Sequence, residues 1–561
     1  MSEEKKPQTA PPRTVRSAKT QTTHRRQASG YGDAGASQAR RALQGFLAKS
    51  GAPSEDIDFH NYTLRQRGRM LYMSSPVAAA AINTNRTKVV GTGLYMKCAI
   101  DRDILGLSEE AAKEWQKKTE KEFRMWASDK RKCDALGLKN FWGLQQLVIK
   151  SWLMSGDVFS LHKRYKATPM NPYSLRLHII EADRISTPID MVKTVNPTTT
   201  QGVNPTTGNK IYDGVEVDDN GCVVAYHVRN TYPYQVTVEK TTWQRVLAVG
   251  EKTGMPNILQ IMASERPDQY RGVTYLAQVI EPLLQLRRYT ESTLMAALVQ
   301  SFFTAWITTN TEHSEIPFNE VGTGDIDGIP DDQPDSISED ENEYEMGPGT
   351  VQHLADGENI TFGNPNIPTA SFESFFKTMC KMVGADLELP YDVLIKEFNS
   401  SYSAAKGALE EAWEAFKMRR VWLVDDFCQP TYEAWLAEAV AIGRIKAPGF
   451  FTDPLIRAAW CGTRWDGPAQ THLDPQKEAT ANETAVKHGW KTNEQVTREF
   501  YGGNWEENVE ILKRENELKP SATPSEPPAV PATQTEPPDP TDPPDPNNTG
   551  NQTTGGQGNA E

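Results

Sequence analysis

The longest helical pattern in this chain runs from Arg266 to Asn310, and its apolar residues are spread around the whole circumference of the helix. Thr274 is the candidate N-cap, and Pro282 divides the segment into a short turn and a long helix that begins there. From Pro282 to Thr308 that helix would measure roughly 40 Å at about 1.5 Å per residue. It is predicted to be buried on several sides, by its own chain or by identical neighbours. A core helix of a large enzyme has the same pattern, so both interpretations stay open here.

Helical patterns also dominate residues 62–165. One helix is predicted directly after Pro76. A second has Ser108 as its cap and acidic residues in its first turn, and a third has Asn140 as its cap. Both carry tryptophans on their apolar stripes, which is typical of core residues, so we interpret them as packing helices.

Residues 157–263 change to the alternating and β-branched pattern of strands. The sequence Asp-Asn-Gly at 219–221 predicts a tight hairpin turn between two of these strands. Glu181, Asp183 and Arg184 would suit a catalytic site, but we favour the interpretation that a strand ends there in a loop.

Helical patterns resume after residue 369 and stop at Pro390. A short irregular piece then leads into a long amphipathic helix, which is predicted from about 403 to 443 and is ended or kinked by Pro430. Its candidate caps are Ser400, Ser401 and Ser403. Further amphipathic helix is predicted up to Lys519, beyond which the chain is rich in proline and predicted to be disordered.

The composition bounds the class of protein. A chain of 561 residues has room for two to four domains, and its hydrophobic content of 38% is slightly low because both ends are polar. No run of about 18 apolar residues occurs, and the first 20 residues lack the apolar stretch of a secretory signal. The six cysteines have no metal-like spacing, which fits buried thiols in a reducing cytosol.

Charge is distributed unevenly along the chain. A net charge of -14 argues against a protein whose main task is to grip phosphates. Residues 1 to about 45 are basic and predicted to be mobile, more as a solvated tail than as a nucleic-acid contact. Residues 325–345 carry about ten carboxylates without the ligand register of a calcium loop. We interpret that segment as a solvated, repulsive or partner-facing loop.

The sequence offers no recognisable catalytic motif. It contains no GxxxxGK[ST] phosphate loop and no HExxH, GxSxG or GxGxxG motif, and its nine histidines are dispersed. We therefore predict no cofactor and no metal site, and no motif supports an enzyme.

Six collinear segments carry a resemblance to a known family. They read WASDKRKCDALGLKNFWGLQQLVIKSWLMSGDVF, LHIIEADRISTP, DGVEVDDNGCVVAYHV, ILQIMASERPDQYRGVTYLAQVI, ADLELPYDVLIKEFNSSYSAAKGALEEAW and WDGPAQTHLDPQKEATA. Together they span roughly residues 60 to 500. The patterns RPxQxRGVxxLA and LPYDxLxxxFxSSYSAA are individually quite specific. The chain thus resembles the lambda-like portal proteins of tailed bacteriophages.

The resemblance implies an α+β portal fold, with an α/β wing, long stem helices, a small clip, a tunnel loop and a helical crown between disordered termini. On this template the segments are a disordered basic arm (1–45), the wing, helical then β-rich (46–265), the first stem helix (266–309), the clip with its acidic loop (310–369), the second stem helix (370–388), the tunnel loop (389–405), the long helix and upper wing (406–470), the helical crown (471–518) and a disordered Pro-rich tail (519–561).

The resemblance also implies sites. The candidate DNA-channel residues of the tunnel loop are Lys396, Asn399, Ser400, Ser401, Tyr402 and Lys406. A plain helix N-terminus, with a serine cap and solvated lysines, is the alternative for that segment. Arg287 and Arg288 of the stem would face the channel or, as we slightly prefer, pair with an acid of a neighbouring subunit. The candidate partner-docking residues of the acidic loop are Asp325, Asp327, Asp331, Asp332, Glu339, Asp340 and Glu341.

The function that the family implies is structural. A ring of about twelve identical subunits at one capsid vertex would form the conduit through which viral double-stranded DNA is packaged and ejected. The implied partners are terminase, head-tail connector proteins and a major capsid or scaffold protein, without a membrane. The implied locations are the virion and, during assembly, the host cytoplasm. Two alternatives remain, a nuclease or ATPase of the packaging machinery and a minor capsid or adaptor protein of low oligomeric order.

Overall fold

The computed structural model describes residues 41–46, 50–192, 201–236, 240–301, 305–309, 358–362, 370–397, 401–470 and 474–518. The chain divides into two compact units, residues 1–468 and 469–561, and each is described by itself. The first unit mixes helices and sheets, as predicted, and the described part of the second is helical.

The helices of the first unit are α1 (Phe59–Ser74), α2 (Pro76–Asn85), α3 (Arg102–Leu105), α4 (Glu109–Ser128), α5 (Lys130–Cys133), α6 (Phe141–Ser155), α7 (Ile280–Ser301), α8 (Ala370–Asp386), α9 (Tyr391–Ile395), α10 (Tyr402–Leu423), α11 (Gln429–Ala441) and α12 (Pro454–Cys461). Its strands are β1 (Tyr95–Cys98), β2 (Asp157–Arg164), β3 (Leu175–Glu181), β4 (Gln201–Val203), β5 (Lys210–Tyr212), β6 (Val215–Val217), β7 (Val223–Arg229), β8 (Trp243–Leu247), β9 (Ile258–Met262), β10 (Ala305–Thr309), β11 (Glu358–Phe362) and β12 (Thr463–Asp466).

Two antiparallel sheets form the β-rich part of the first unit. Strand β2 lies at the centre of the order β3-β2-β9, and the second sheet follows the chain order from β4 to β8. The predicted hairpin at 219–221 connects β6 to β7, where the carboxylate of Asp218 accepts the backbone N–H groups of Asn220 and Cys222 at 2.9 and 2.8 Å. The side chains between the sheets, among them Phe159, Val215 and Tyr226, form a small core.

The helices gather around a larger aromatic core. The predicted caps are confirmed, because Ser108 Oγ accepts the N–H of Ala111 and Asn140 Oδ1 that of Gly143. In the core, the ring of Phe123 lies 5.1–5.7 Å, between centroids, from four other aromatic rings. Those rings belong to Trp126, Phe141, Tyr432 and Trp435. Residues far apart in sequence thus share one core, and their apolar stripes are core surfaces, as predicted.

The longest predicted helix differs from the sequence expectation at both ends. Helix α7 begins at Ile280, two residues before Pro282, and ends at Ser301. The prediction that it continues to Thr308 is wrong, because residues 305–309 form β10, paired antiparallel with β11. Aromatic and β-branched residues in the sequence AWITT favour an extended strand.

Thr274 does not cap α7. Its hydroxyl donates to the carbonyl of Leu153 at 3.3 Å and accepts the N–H of Leu276 at 3.3 Å. A short 3-10 turn, Ala277–Val279, separates it from the helix. The threonine therefore fixes the turn to α6 instead of starting the helix.

The long helix predicted near 403–443 is present with a local change of winding. A π-helical turn at Val424–Cys428 joins α10 to α11, and Pro430 lies in the first turn of α11. The extra residue of a π turn leaves room for a proline that lacks its N–H. Pro430 therefore marks a change of helix type at the predicted position.

The described part of the second unit consists of α13 (Pro475–Lys487), α14 (Asn493–Val496) and α15 (Trp505–Leu518). Thr492 and Gln495 form a reciprocal capping box at the start of α14. No helix in the described ranges of either unit combines the length and the apolar character that crossing a bilayer requires.

Candidate subunit interface and channel segment

Helix α7 packs against its own chain along one face. Leu283 and Leu286 are buried there. One turn further on, the ring of Tyr289 stacks on Phe372 of α8 at 5.6 Å and touches Phe375 at 4.4 Å, between centroids. These contacts hold α7 and α8 together as a pair.

The opposite face of α7 is exposed and partly apolar. Its residues follow the spacing i, i+4, i+7, i+11 and i+14, which places them in one row along the helix. We call this row the α7 seam; it consists of Leu284, Arg288, Glu291, Met295 and Leu298. Its three apolar side chains are 38%, 59% and 46% exposed in chain order. A row of this spacing is the surface with which one helix pairs with another.

The two stem arginines occupy different surroundings. Arg287 donates its Nε–H to Glu291 at 2.8 Å, one turn along the same helix. Arg288 is exposed and belongs to the α7 seam. The exposed i,i+4 pair of Arg287 and Glu291 contributes only about 0.3–0.5 kcal/mol to stability. The expected contacts of these arginines, with a channel or with a neighbour's acid, stay predictions.

The described tunnel-loop candidates lie in two places, at the end of α9 and at the start of α10. Lys396 is exposed at the C-terminal end of α9, with a positive φ of 63°. Ser401 occupies the N-cap position of α10, and Tyr402 is the first residue of that helix. Lys406 lies 3.8 Å from the carboxylate of Glu410 on the same helix. Asn399 and Ser400 lie outside the described residues.

The acidic-loop candidates cannot be placed. All of them lie outside the described residues: Asp325, Asp327, Asp331, Asp332, Glu339, Asp340 and Glu341. Their role in docking stays a prediction.

A buried junction, which the sequence analysis missed, fixes the segment between α8 and α10. Arg419 is 5% exposed and donates to Asn85 Oδ1 at 2.9 Å and to Glu388 Oε2 at 2.6 Å. Its guanidinium lies 5.0 Å from the ring centroid of Tyr275, whose hydroxyl donates to the carbonyl of Leu387. The segment after α8, the turn before α7, the end of α2 and the C-terminal part of α10 therefore meet at one side chain. The only hint in the sequence is a pair of arginines on a helix whose neighbouring positions are apolar.

The surface beside this junction is rich in carboxylates. A cleft of about 650 Å³ lies between the end of α8, α9 and α10. Glu388, Glu411 and Glu414 line it together with a single lysine, Lys381. Two of these carboxylates are paired with cations, Glu388 with Arg419 and Glu414 with Lys417, at 2.6 Å each, so little of their negative charge is left unbalanced.

A second buried charge cluster holds the turn that leads into α7. Arg271 is fully buried. Its guanidinium donates from two nitrogens to the carboxylate of Asp157, at 2.6 and 3.2 Å, and a third nitrogen lies 2.6 Å from Asp213 Oδ2. The next residue, Gly272, donates its N–H to Asp157 at 3.1 Å. Burial alone would raise the pKa of Asp157, but Arg271 and Arg65 hold that pKa below its ordinary value. The turn before α7 is therefore tied to the start of β2 and to the β5–β6 turn.

The charged residues at the end of β3 belong to the same cluster. The strand ends at Glu181, as predicted, and Ala182–Arg184 form a 3-10 turn. Asp183 is buried there and is bound by Arg69 at 2.5 Å. Its structural contacts support the interpretation as a strand end over that as a catalytic charge.

Comparison with known proteins identifies the family. Residues 39–420 match the model of the lambda family of phage portal proteins. That match covers more than half of the chain, so the chain belongs to this family.

Individual relatives are distant but collinear over most of their length. The chain is 21% identical over 468 residues to portal protein B of Escherichia phage lambda, covering 80% of this chain and 83% of that protein. It is 21% identical over 458 residues to the portal protein of Escherichia phage N15, covering 79% and 82%. A probable portal protein of Halomonas phage phiHAP-1 is 23% identical over 431 residues, covering 76% and 74%.

Among solved structures, the chain is similar to a chain in the neck of a native gene transfer agent particle, computed with C12 symmetry. It is 12% identical, with a TM-score of 0.38, and the match covers 78% of this chain and 92% of that one.

Proposed function

We propose that this portal-family chain assembles into a closed ring of about twelve subunits around a central channel. The ring is a passive conduit at one capsid vertex, through which double-stranded DNA enters during packaging and leaves during ejection. The α7 seam is the observation that carries the proposal, because it offers a second helix-pairing surface on a helix whose other face is already packed.

A ring needs head-to-tail contacts between different surfaces of neighbouring subunits. The face of α7 that holds Leu283 and Leu286 is packed within the chain, whereas the α7 seam is exposed and is the surface that would contact a neighbour. In that contact Arg288 and Glu291 are the charged positions between apolar residues, where they would select the register of the neighbouring helix. The contact would thereby allow Arg288 to pair with an acidic residue of the neighbouring subunit.

The channel wall is proposed to bind DNA only weakly. Each lysine or arginine on a phosphate adds affinity and salt dependence, which would slow a moving duplex. An acidic chain, with a net charge of -14, suits a wall that does not bind DNA tightly. Lys396, Ser401 and Lys406, with the neighbouring tunnel-loop residues, would make the few transient contacts.

The remaining assignments follow the family template. We propose that residues 46–265 are the wing, 310–369 the clip, 389–405 the tunnel loop and 471–518 the crown. The acidic segment 325–345 would dock terminase and head-tail connector proteins, and the outer surface would contact a major capsid or scaffold protein. In this role the chain has no catalysis of its own and resides in the virion, after assembly in the host cytoplasm.

The α7 seam is tested by placing charge on it. The double variant Met295→Glu, Leu298→Glu should keep the circular dichroism of the wild type, because both side chains are about half exposed. It should fail to form rings at concentrations where the wild type assembles, since every subunit contact would have to bury two added carboxylates without partners. Native mass measurement separates the two outcomes.

The matched control is Gln285→Glu, which adds a carboxylate at an exposed position of α7 outside both the seam and the packed face. It should assemble like the wild type. Normal ring formation by the double variant would show that α7 does not form the subunit contact.

A further inference from the structure

One face of α1 is polar and yet buried. Asp58, in the π-helical turn that precedes the helix, and Asn61 and Arg65 follow the spacing i, i+3 and i+7, and are 4%, 0% and 2% exposed. Arg69 continues the same row half-buried. A polar helix face normally lies in solvent. This face is therefore held against the rest of the unit by specific contacts.

Those contacts reach three other segments. Asn61 Nδ2 donates to the carbonyl of Gly272 at 2.8 Å, and Arg65 donates to Asp213 Oδ2 at 2.9 Å. Arg69 donates to Asp183 Oδ2 at 2.5 Å. Helix α1 is thereby attached to the turn before α7, to the β5–β6 turn and to the end of β3.

The charges of this network do not balance if every group is ionised. Its members inside the unit are four aspartates, Asp58, Asp157, Asp183 and Asp213, and three arginines, Arg65, Arg69 and Arg271. The carboxylate of Glu181, 3.9 Å from Arg69, is 35% exposed and lies at the solvent edge of the network. Three positive and four negative charges leave a net charge of -1 inside the unit. A buried charge without a partner is costly.

Asp58 is the member that lacks a partner. Its Oδ2 atom is buried and accepts no hydrogen bond from any residue that the structure describes. Burial and then the charge of Asp213 raise the pKa of Asp58 to about 7, against the opposing pull of Arg271 and Arg65. Asp157 is the other charged group that faces it. One proton on Asp58 would neutralise the network.

We propose that Asp58 carries this proton and that α1 is held most firmly against the Arg271–Gly272 turn while the proton is bound. Asp58 is then a positioning residue, which acts through Arg65 and Arg271 on the anchor of α7. The proposal goes beyond the proposed function and does not depend on ring formation. It makes the attachment of α1 sensitive to pH near neutrality.

The sign of the effect follows from linkage. The pKa of Asp58 is raised from its ordinary 3.8 to about 7 in the folded state. Its protonated form therefore stabilises the attached helix fully below the ordinary pKa, and that contribution is lost as the pH rises through about 7. Opening of α1 should become easier in alkaline solution.

Hydrogen exchange on the full-length protein tests this. The amides of α1 should lose protection about tenfold between pH 6 and pH 8.5, after correction for the intrinsic exchange rate and relative to α6. Asp58→Asn keeps the shape of the side chain without its charge. Its α1 amides should show no such loss and should be at least as protected at both pH values as those of the wild type at pH 6.

Glu55→Gln is the matched control, because Glu55 lies one turn away and is exposed. It should lose protection as the wild type does. If Asp58→Asn does not fold, Asp58→Ser removes the same charge with a smaller side chain and should be equally insensitive to pH. Wild-type protection that stays constant between the two pH values, or a loss that persists without the Asp58 carboxyl, would overturn the proposal.

Discussion

At the scale of single residues, the backbones of Gly156 and Gly272 lie too close together to admit a side chain on either residue. A Cβ atom built on either glycine would fall inside contact distance of the other's carbonyl. Gly156 also has a φ of +91°, which other residues rarely adopt. Glycine is therefore required where the chain passes from α6 to β2 beside the turn that leads to α7.

Replacing Gly272 by alanine should destabilise the protein. The added methyl group would meet backbone atoms, which cannot rotate away, so we expect a loss of about 3 kcal/mol in the free energy of unfolding. Denaturant titration followed by tryptophan fluorescence measures it.

Gly407→Ala provides the control for this substitution. Gly407 lies inside α10, and nothing lies within 4 Å of an added Cβ. This variant should gain about 0.5–1 kcal/mol, because alanine favours helix more than glycine does. A neutral Gly272→Ala variant would contradict the described contact.

The buried charge clusters show what sequence reasoning cannot reach at this scale. Arg271 and Asp157 are 114 residues apart, and Arg65 and Asp213 are 148 residues apart. No local pattern relates such partners, and a chain with 74 acidic residues offers too many pairings to choose from. Only the fold selects Asp157 and Asp213. Arg271 and Gly272 belong to the motif RPxQxRGVxxLA, which marks them as characteristic of the family. The motif does not give the structural reason for them.

At the scale of elements, one carboxylate adds side-chain links between strands of the five-stranded sheet. Glu216 of β6 is fully buried and accepts hydrogen bonds from Arg245 at 2.8 and 3.0 Å and from His227 at 3.1 Å. It also binds the turn before β5, through Asn204 and Asn209 at 3.1 and 2.9 Å. Neighbouring strands and their turn are thus joined at Glu216.

This arrangement predicts a pH dependence of stability. Burial alone would raise the pKa of Glu216, but its hydrogen bonds with Arg245, Asn209 and Asn204 lower it to about 2. Because the folded pKa is depressed, the stabilisation is present above the ordinary pKa of 4.5 and is lost as the pH falls towards about 2. The loss should amount to roughly 3 kcal/mol. Urea titrations between pH 5 and pH 2 measure it.

Glu216→Gln should be less stable than the wild type at pH 7 and should show a smaller acid loss. Asp219→Asn, at an exposed position of the nearby hairpin, should follow the wild-type curve. An unchanged acid loss in Glu216→Gln would mean that other carboxylates determine it.

Local signals predicted many elements well. The caps at Ser108 and Asn140 and the hairpin at 219–221 were correct, because each depends on residues within one turn. The end of α7 was predicted wrongly, since β10 pairs with β11, with Ala305 opposite Phe362. A pairing over that distance is invisible to helical periodicity. The exposed seam of α7 was foreseen only as a helix with several apolar faces.

At the scale of the whole molecule, the family was predicted correctly from collinear motifs, and the match over residues 39–420 confirms it. The channel and docking residues remain predictions. Their contacts would lie between subunits or with DNA, and a single chain contains neither. Buried charges anchor the turn before α7, and α7 packs one face within its own chain. The exposed seam of α7 is the surface proposed to contact a neighbouring subunit.

The mass and end-on symmetry of the purified protein test the ring most directly. Native mass measurement combined with class averages of single particles should show a ring with a central hole. About twelve subunits of 62.6 kDa give a mass of roughly 750 kDa. A stable monomer or dimer over the whole accessible concentration range, or a closed particle without a hole, would contradict the conduit.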